Sequence, residues 1–125
     1  MAGHVGWTAA LFGLLTVTRA PDAWGIGRRA DGTNPWAEVE RRVSANLRNQ
    51  FEWPLMFYVA CGLFITGVTP ITPLAIGIAW LFVAGRVLHS GVQILTRNVR
   101  LRGVVFSINF LAVIGLWVLI LRSVD

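Results

Sequence analysis

Four apolar runs, with most of the charge swept into the segments between them, set the limits on what this chain can fold into. They are Val5–Thr18 (VGWTAALFGLLTVT), Phe51–Val68 (FEWPLMFYVACGLFITGV), Leu74–Leu95 and Val104–Leu121 (VVFSINFLAVIGLWVLIL). Crossing a bilayer takes about 20 apolar residues, with a range near 17–25. The last three runs meet that length, and the first meets it if its ends reach the headgroups. Backbone in hydrocarbon must satisfy its own hydrogen bonds, so each run is expected to be a helix. The first lacks the basic n-region of a signal peptide and its arginine follows it, so it is expected to be retained. The expected fold is all-α: one integral membrane domain over residues 1–125, a bundle of four transmembrane helices.

Composition points the same way. The chain is 55% hydrophobic and only 14% charged, where a soluble domain carries about 25% charged residues. Its basic balance comes from 11 arginines and no lysine. Because they lie between apolar runs, they read as topology and site residues facing membrane lipid or a small anion, and nucleic acid is excluded as a partner. The single cysteine, Cys61, cannot form an internal disulfide.

The connections carry the orientation. TPITP, Thr69 to Pro73, is an uncharged tight turn in which proline stops one helix and starts the next. Arg19, Arg28, Arg29, Arg41, Arg42 and Arg48 lie between the first two runs, and Arg97, Arg100 and Arg102 between the last two. The positive-inside rule places both basic segments in the cytoplasm and both termini on the opposite side. Within the first basic segment, Asn34 is the expected N-cap and Pro35 the first helical residue of a helix continuing through WAEVERRVSANLRNQ into the second run.

Polar residues inside the runs are costly and need a reason. At about 100° per residue, Arg86, His89, Gln93, Arg97 and Arg100 fall in a sector of roughly 80°. Arg41, Ala45, Arg48 and Glu52, with Asn49 at the edge, fall in a sector of about 60°. The two stripes are expected to meet, with Glu52 pairing with Arg86 or Arg48. A purely architectural use would explain much of this, with Asn109 as interhelical hydrogen-bond glue and the loop arginines on lipid headgroups. Arginine in excess over acid instead invites an anion.

ERRVSANLRNQFEWPLMF, then GRVLHS one helix later, then RNVRLRGVVF, resemble the MAPEG family, the membrane-associated proteins in eicosanoid and glutathione metabolism. The resemblance covers about Glu38 to the C-terminus and looks closer to small bacterial members than to the mammalian prostaglandin E and leukotriene synthases. It implies a homotrimer, in a bacterial inner membrane, with glutathione bound between protomers near the cytoplasmic side. An arginine–asparagine–x–x–glutamate element for the tripeptide corresponds to Arg48, Asn49 and Glu52. An arginine–x–x–histidine element corresponds to Arg86 and His89, with Gln93 one turn on. The arginines that stabilise the thiolate in catalytic members correspond to Arg100 and Arg102, with the choice between them open.

The implied chemistry suits these residue types. Glutathione carries two carboxylates and an ammonium, which call for several arginines and an acid. A guanidinium beside the sulfur favours thiolate over thiol, and no metal is required. Catalytic members often carry tyrosine where this chain has Gln93 and near Phe106, and phenylalanine cannot donate a hydrogen bond. Three functions follow in order: a glutathione-dependent transferase or peroxidase acting on lipophilic electrophiles; a non-catalytic lipid-binding or accessory membrane protein; and a transporter component, which the charge clustering disfavours.

Overall fold

The computed structural model describes residues 1–124 as five helices joined by turns: α1 (Ala2–Trp24), α2 (Ala37–Gln50), α3 (Pro54–Ile65), α4 (Pro73–Leu95) and α5 (Val99–Val124). Their ends have local causes. α1 runs beyond its apolar stretch and closes on Gly25, whose left-handed backbone (φ 71°) lets its N–H reach the Pro21 carbonyl at 3.0 Å. α2 starts later than expected, because the Asn34 side chain caps a preceding turn, accepting the Trp36 N–H at 2.8 Å. The Thr72 hydroxyl accepts the Ala75 N–H at 3.1 Å and Pro73 opens α4, as the TPITP turn predicts. α5 begins at Val99 rather than Val104 because Asn98 Oδ1 accepts the Leu101 N–H at 3.0 Å, so Arg100 and Arg102 belong to its first turns.

The expected continuous helix into the second run does not form. Pro54 has no N–H to give the Gln50 carbonyl, and its ring crowds that carbonyl. The chain therefore passes Phe51–Trp53 on tighter bonds, from the Phe51 N–H to the Arg48 carbonyl (3.0 Å) and from the Leu55 N–H to the Glu52 carbonyl (3.2 Å). α3 follows as a separate segment of 12 residues.

α4 and α5 pack antiparallel: Ile78 lies near Gly115, Gly85 against Asn109 and His89 against Phe106. Phe57 stacks on Phe82 at 4.1 Å between ring centroids, joining α3 to a core that includes Val83, Val113, Leu116 and Ile120. A second cluster, Leu11, Leu15, Val43 and Leu47, seals α1 onto α2. The outer faces of α4 and α5 are apolar, with Leu88, Trp80 and Leu111 each more than 60% exposed. A soluble protein rarely exposes so much apolar area. Among the described residues α4 and α5 are each long and apolar enough to cross a membrane, with mean hydropathies of 1.5 and 2.6.

Candidate functional site

The break at Pro54 is what builds the site. It turns Asn49, Glu52 and Trp53 toward α4 and α5, where they line a cavity of about 540 Å³ with His89, Val99, Arg102, Gly103 and Phe106. The four α5 residues follow i, i+3, i+4, i+7 spacing, one face of a helix. One wall is polar and charged, through Asn49, Glu52 and Arg102. The other is aromatic, through Phe106 and Trp53, which stacks on Phe110 at 4.6 Å. Neither Glu52 nor Arg102 has an ion-pair partner among the described residues. The His89 Nδ1 and Trp53 Nε1 atoms are buried and find no hydrogen-bond partner there either.

Of the residues singled out from sequence, Asn49, Glu52, His89 and Arg102 come together here. Arg100 does not line the cavity, since two residues along a helix turn a side chain by about 200°, and it is exposed. Arg48 is exposed on the far side of α2. Gln93 sits beside the cavity, its Oε1 accepting from Asn46 Nδ2 (2.9 Å) and Asn49 Nδ2 (3.3 Å).

The two stripes meet in part, with Asn49 and Glu52 sharing the cavity with His89, and Arg41 and Ala45 sharing a polar cleft with Gln93 and Arg97. The expected pairing of Glu52 with Arg86 or Arg48 is absent among the described residues. α2 instead turns the face of Asn46 and Gln50 toward α4, about 150° from the Arg41–Arg48 stripe. The reason is solvation: neutral amides can satisfy one another in a dry interface, whereas arginines gain more at the surface. Asn46 and Gln50, on two successive turns of α2, were the signal in the sequence, and charge obscured it.

Those amides anchor a buried network. Gln50 Oε1 accepts from Arg86 Nε (3.1 Å) and lies 2.8 Å from His4 Nε2. Gln50 Nε2 donates to Asn46 Oδ1 and to Ser90 Oγ, both at 3.1 Å. Ser90 Oγ donates to Asn46 Oδ1 (2.9 Å) and accepts the Trp7 indole N–H (3.0 Å). His4 Nδ1 lies 2.6 Å from the Tyr58 hydroxyl. Arg86 is 0% exposed with no carboxylate beside it among the described residues; its second contact, at 2.9 Å, is the Asn49 carbonyl. That carbonyl belongs to the last turn of α2, whose C-terminal dipole favours a cation. Arg86 thus caps a helix from another element and lies behind the cavity rather than on its wall.

The sequence matches the MAPEG family model over residues 1–122. The chain belongs to the MAPEG family. Comparison with curated proteins gives no match, and comparison with solved structures gives none. The match includes α1, which the resemblance carried by Glu38 onward did not cover. As a MAPEG protein the chain is integral to the membrane, which accounts for its apolar exterior. The family includes glutathione transferases and peroxidases as well as non-catalytic members.

Proposed function

We propose that this MAPEG protein is a glutathione-dependent transferase or peroxidase acting on lipophilic electrophiles, assembled as a homotrimer of protomers that cross the membrane four times. In this reading α1 and the α2–α3 pair make the two crossings besides α4 and α5, and the basic segments face the cytoplasm of a bacterial inner membrane. The observation that carries it is the single cavity that joins unpaired Arg102 and Glu52 to Asn49, His89 and an aromatic wall. Its volume lies within the 300–1,000 Å³ usual for small-molecule sites.

The chemistry divides between the two walls. Arg102 stands where a fixed guanidinium can meet a carboxylate bidentately or hold the thiolate form of the sulfur. Glu52 takes the ammonium, and Asn49 and His89 supply directional hydrogen bonds. An electrophile dissolved in the bilayer reaches the sulfur past Phe106. The thiolate attacks the electrophilic carbon, and the carbon–sulfur bond forms as the bond to the leaving group breaks and that group departs with its electron pair. With a hydroperoxide the thiolate takes the distal oxygen as the O–O bond breaks and the alcohol leaves. A second glutathione then converts the sulfenic acid to disulfide and water. Arg102 favours the thiolate and leaves the protein without a covalent intermediate.

The test is glutathione titration into protein held in nanodiscs, with thiolate absorbance followed across pH in the same sample. Binding is expected, with the bound thiol ionising at lower pH than free glutathione. Arg102→Ala should weaken binding about 10–100-fold, the worth of a charge-assisted hydrogen bond, while Arg100→Ala leaves it nearly intact. Absence of binding at millimolar glutathione would remove the transferase reading. It would favour the non-catalytic one, to which Phe106 on the cavity wall and Gln93 tied to Asn46 already lend weight.

A further inference from the structure

A second, polar cleft of about 340 Å³ lies where α2, the end of α4 and the start of α5 converge. Arg41, Arg42, Arg97 and Arg102 line it, against a single carboxylate, Glu38. Glu38 is already shared: it accepts from Arg41, from Arg42 Nε at 3.0 Å, and lies 3.8 Å from Arg97. Four cations on one acid leave the cleft strongly positive, and Arg102 has no carboxylate partner among the described residues. Guanidinium forks presented from three elements match the oxygens of a phosphodiester.

The place of the cleft selects the source of that phosphate. It opens where the apolar run of α4 ends: Leu95, next to the lining Thr96, is 80% exposed, and Leu88, two turns earlier on the same face of α4, is 61% exposed. An anion that brings its own hydrocarbon covers those side chains, whereas a soluble anion leaves them bare. We propose that this cleft binds the phosphate of an anionic phospholipid from the leaflet facing the basic segments, with its acyl chains lying over Leu95 and Leu88. The proposal stands whether or not glutathione occupies the neighbouring cavity. Arg102 borders both spaces, so it is left untouched in the test.

Purified protein is equilibrated in nanodiscs containing phosphatidylglycerol and phosphatidylcholine of identical acyl chains, and the lipid retained on release is counted by native mass spectrometry. Wild type should retain phosphatidylglycerol preferentially. Arg41→Gln combined with Arg97→Gln should lower that preference roughly thirtyfold, as two juxtamembrane cations lost at an anionic surface. Glu38→Gln, which removes the competing acid, should raise it. These opposite signs cannot both come from misfolding. Arg29→Gln, in the exposed α1–α2 loop, should change nothing. Equal retention of both lipids by wild type would overturn the proposal, as would an Arg29→Gln effect equal to that of the double variant. Loss of the oligomer in the double variant with lipid preference unchanged would assign the cleft to a second copy of the chain, and would overturn it too.

Discussion

Gly85 and Asn109 make a test of how closely two helices can approach. A Cβ on Gly85 would fall on the Asn109 amide, inside normal contact distance of Oδ1. Asn109 is fully buried, and neither its Oδ1 nor its Nδ2 has a hydrogen-bond partner among the described residues. Gly85→Ala should therefore cost about 1–3 kcal/mol through overpacking. Asn109→Ala should cost far less than an ordinary buried amide, because no partner is orphaned by its removal. Joining the two substitutions should recover most of the Gly85→Ala loss, since the colliding side chain is then gone. Denaturation of the four proteins in one detergent, treated as a double-mutant cycle, measures this. Simple additivity would mean that the collision is relieved elsewhere. The sequence marks Asn109 as a polar residue in an apolar run, but not that glycine is its counterpart; that follows only from the pairing of α4 with α5.

The break between α2 and α3 shows how elements divide the work. Proline removes one helical hydrogen bond, and Arg86 satisfies the Asn49 carbonyl near that point. Arg86→Leu should cost about 1–3 kcal/mol for the Asn49 carbonyl left unpaired, while Gln50 Oε1 loses one of its two contacts and keeps His4 Nε2. Arg86→Lys should recover part of that, since an ammonium lacks the fork to reach both. Faster amide exchange across Phe51–Leu55 in the leucine variant would locate the damage at the break. At the other end of α2, hydrogen bonds from Arg41 first, and then Arg42, hold the Glu38 carboxyl below its ordinary value of 4.5. A depressed folded value means that the ionised group stabilises the fold above the ordinary carboxylate range. That contribution is lost as pH falls through the depressed value. Unfolding followed from about pH 6 down to about pH 3 should bring wild type toward Glu38→Gln at the acid end, with the change small because Glu38 is exposed. Helix periodicity makes the polar face of α4 legible up to Gln93, because Arg86, His89 and Gln93 recur on one side. It misleads beyond Leu95, where Thr96 is extended and the register ends. On α2 it finds Asn49 and Glu52 but passes over the buried amides Asn46 and Gln50, which charge outweighs. The meeting of Asn49 and Glu52 with His89 is legible in the two stripes, and Arg102 comes from the family resemblance; the kink that presents Glu52 follows from Pro54, which periodicity does not register.

At the scale of the whole molecule, the distribution of arginine along the chain is an argument about sidedness. The α1–α2 connection carries Arg28 and Arg29, and the α4–α5 connection carries Arg97, with Arg100 and Arg102 just inside α5. The segment between α3 and α4, Thr66–Thr72, carries no charge. Antiparallel packing of α4 on α5 puts that uncharged segment at the end of the bundle opposite Arg97. The long basic α1–α2 connection lies at the same end as Arg97, because Arg42 reaches across to the Ile94 carbonyl at 3.1 Å. Charge and packing therefore agree on two unlike ends, and the proposed orientation, with the basic end in the cytoplasm, follows the positive-inside rule. In a Cys61→Ser background, a cysteine at Arg29 should react with a membrane-impermeant maleimide only in inverted vesicles, and one at Ile71 only in right-side-out vesicles. Labelling of both from one side would break the link between the arginines and orientation. It would also move the lipid cleft and the cavity mouth to the other leaflet, so this result governs where either ligand has to be supplied.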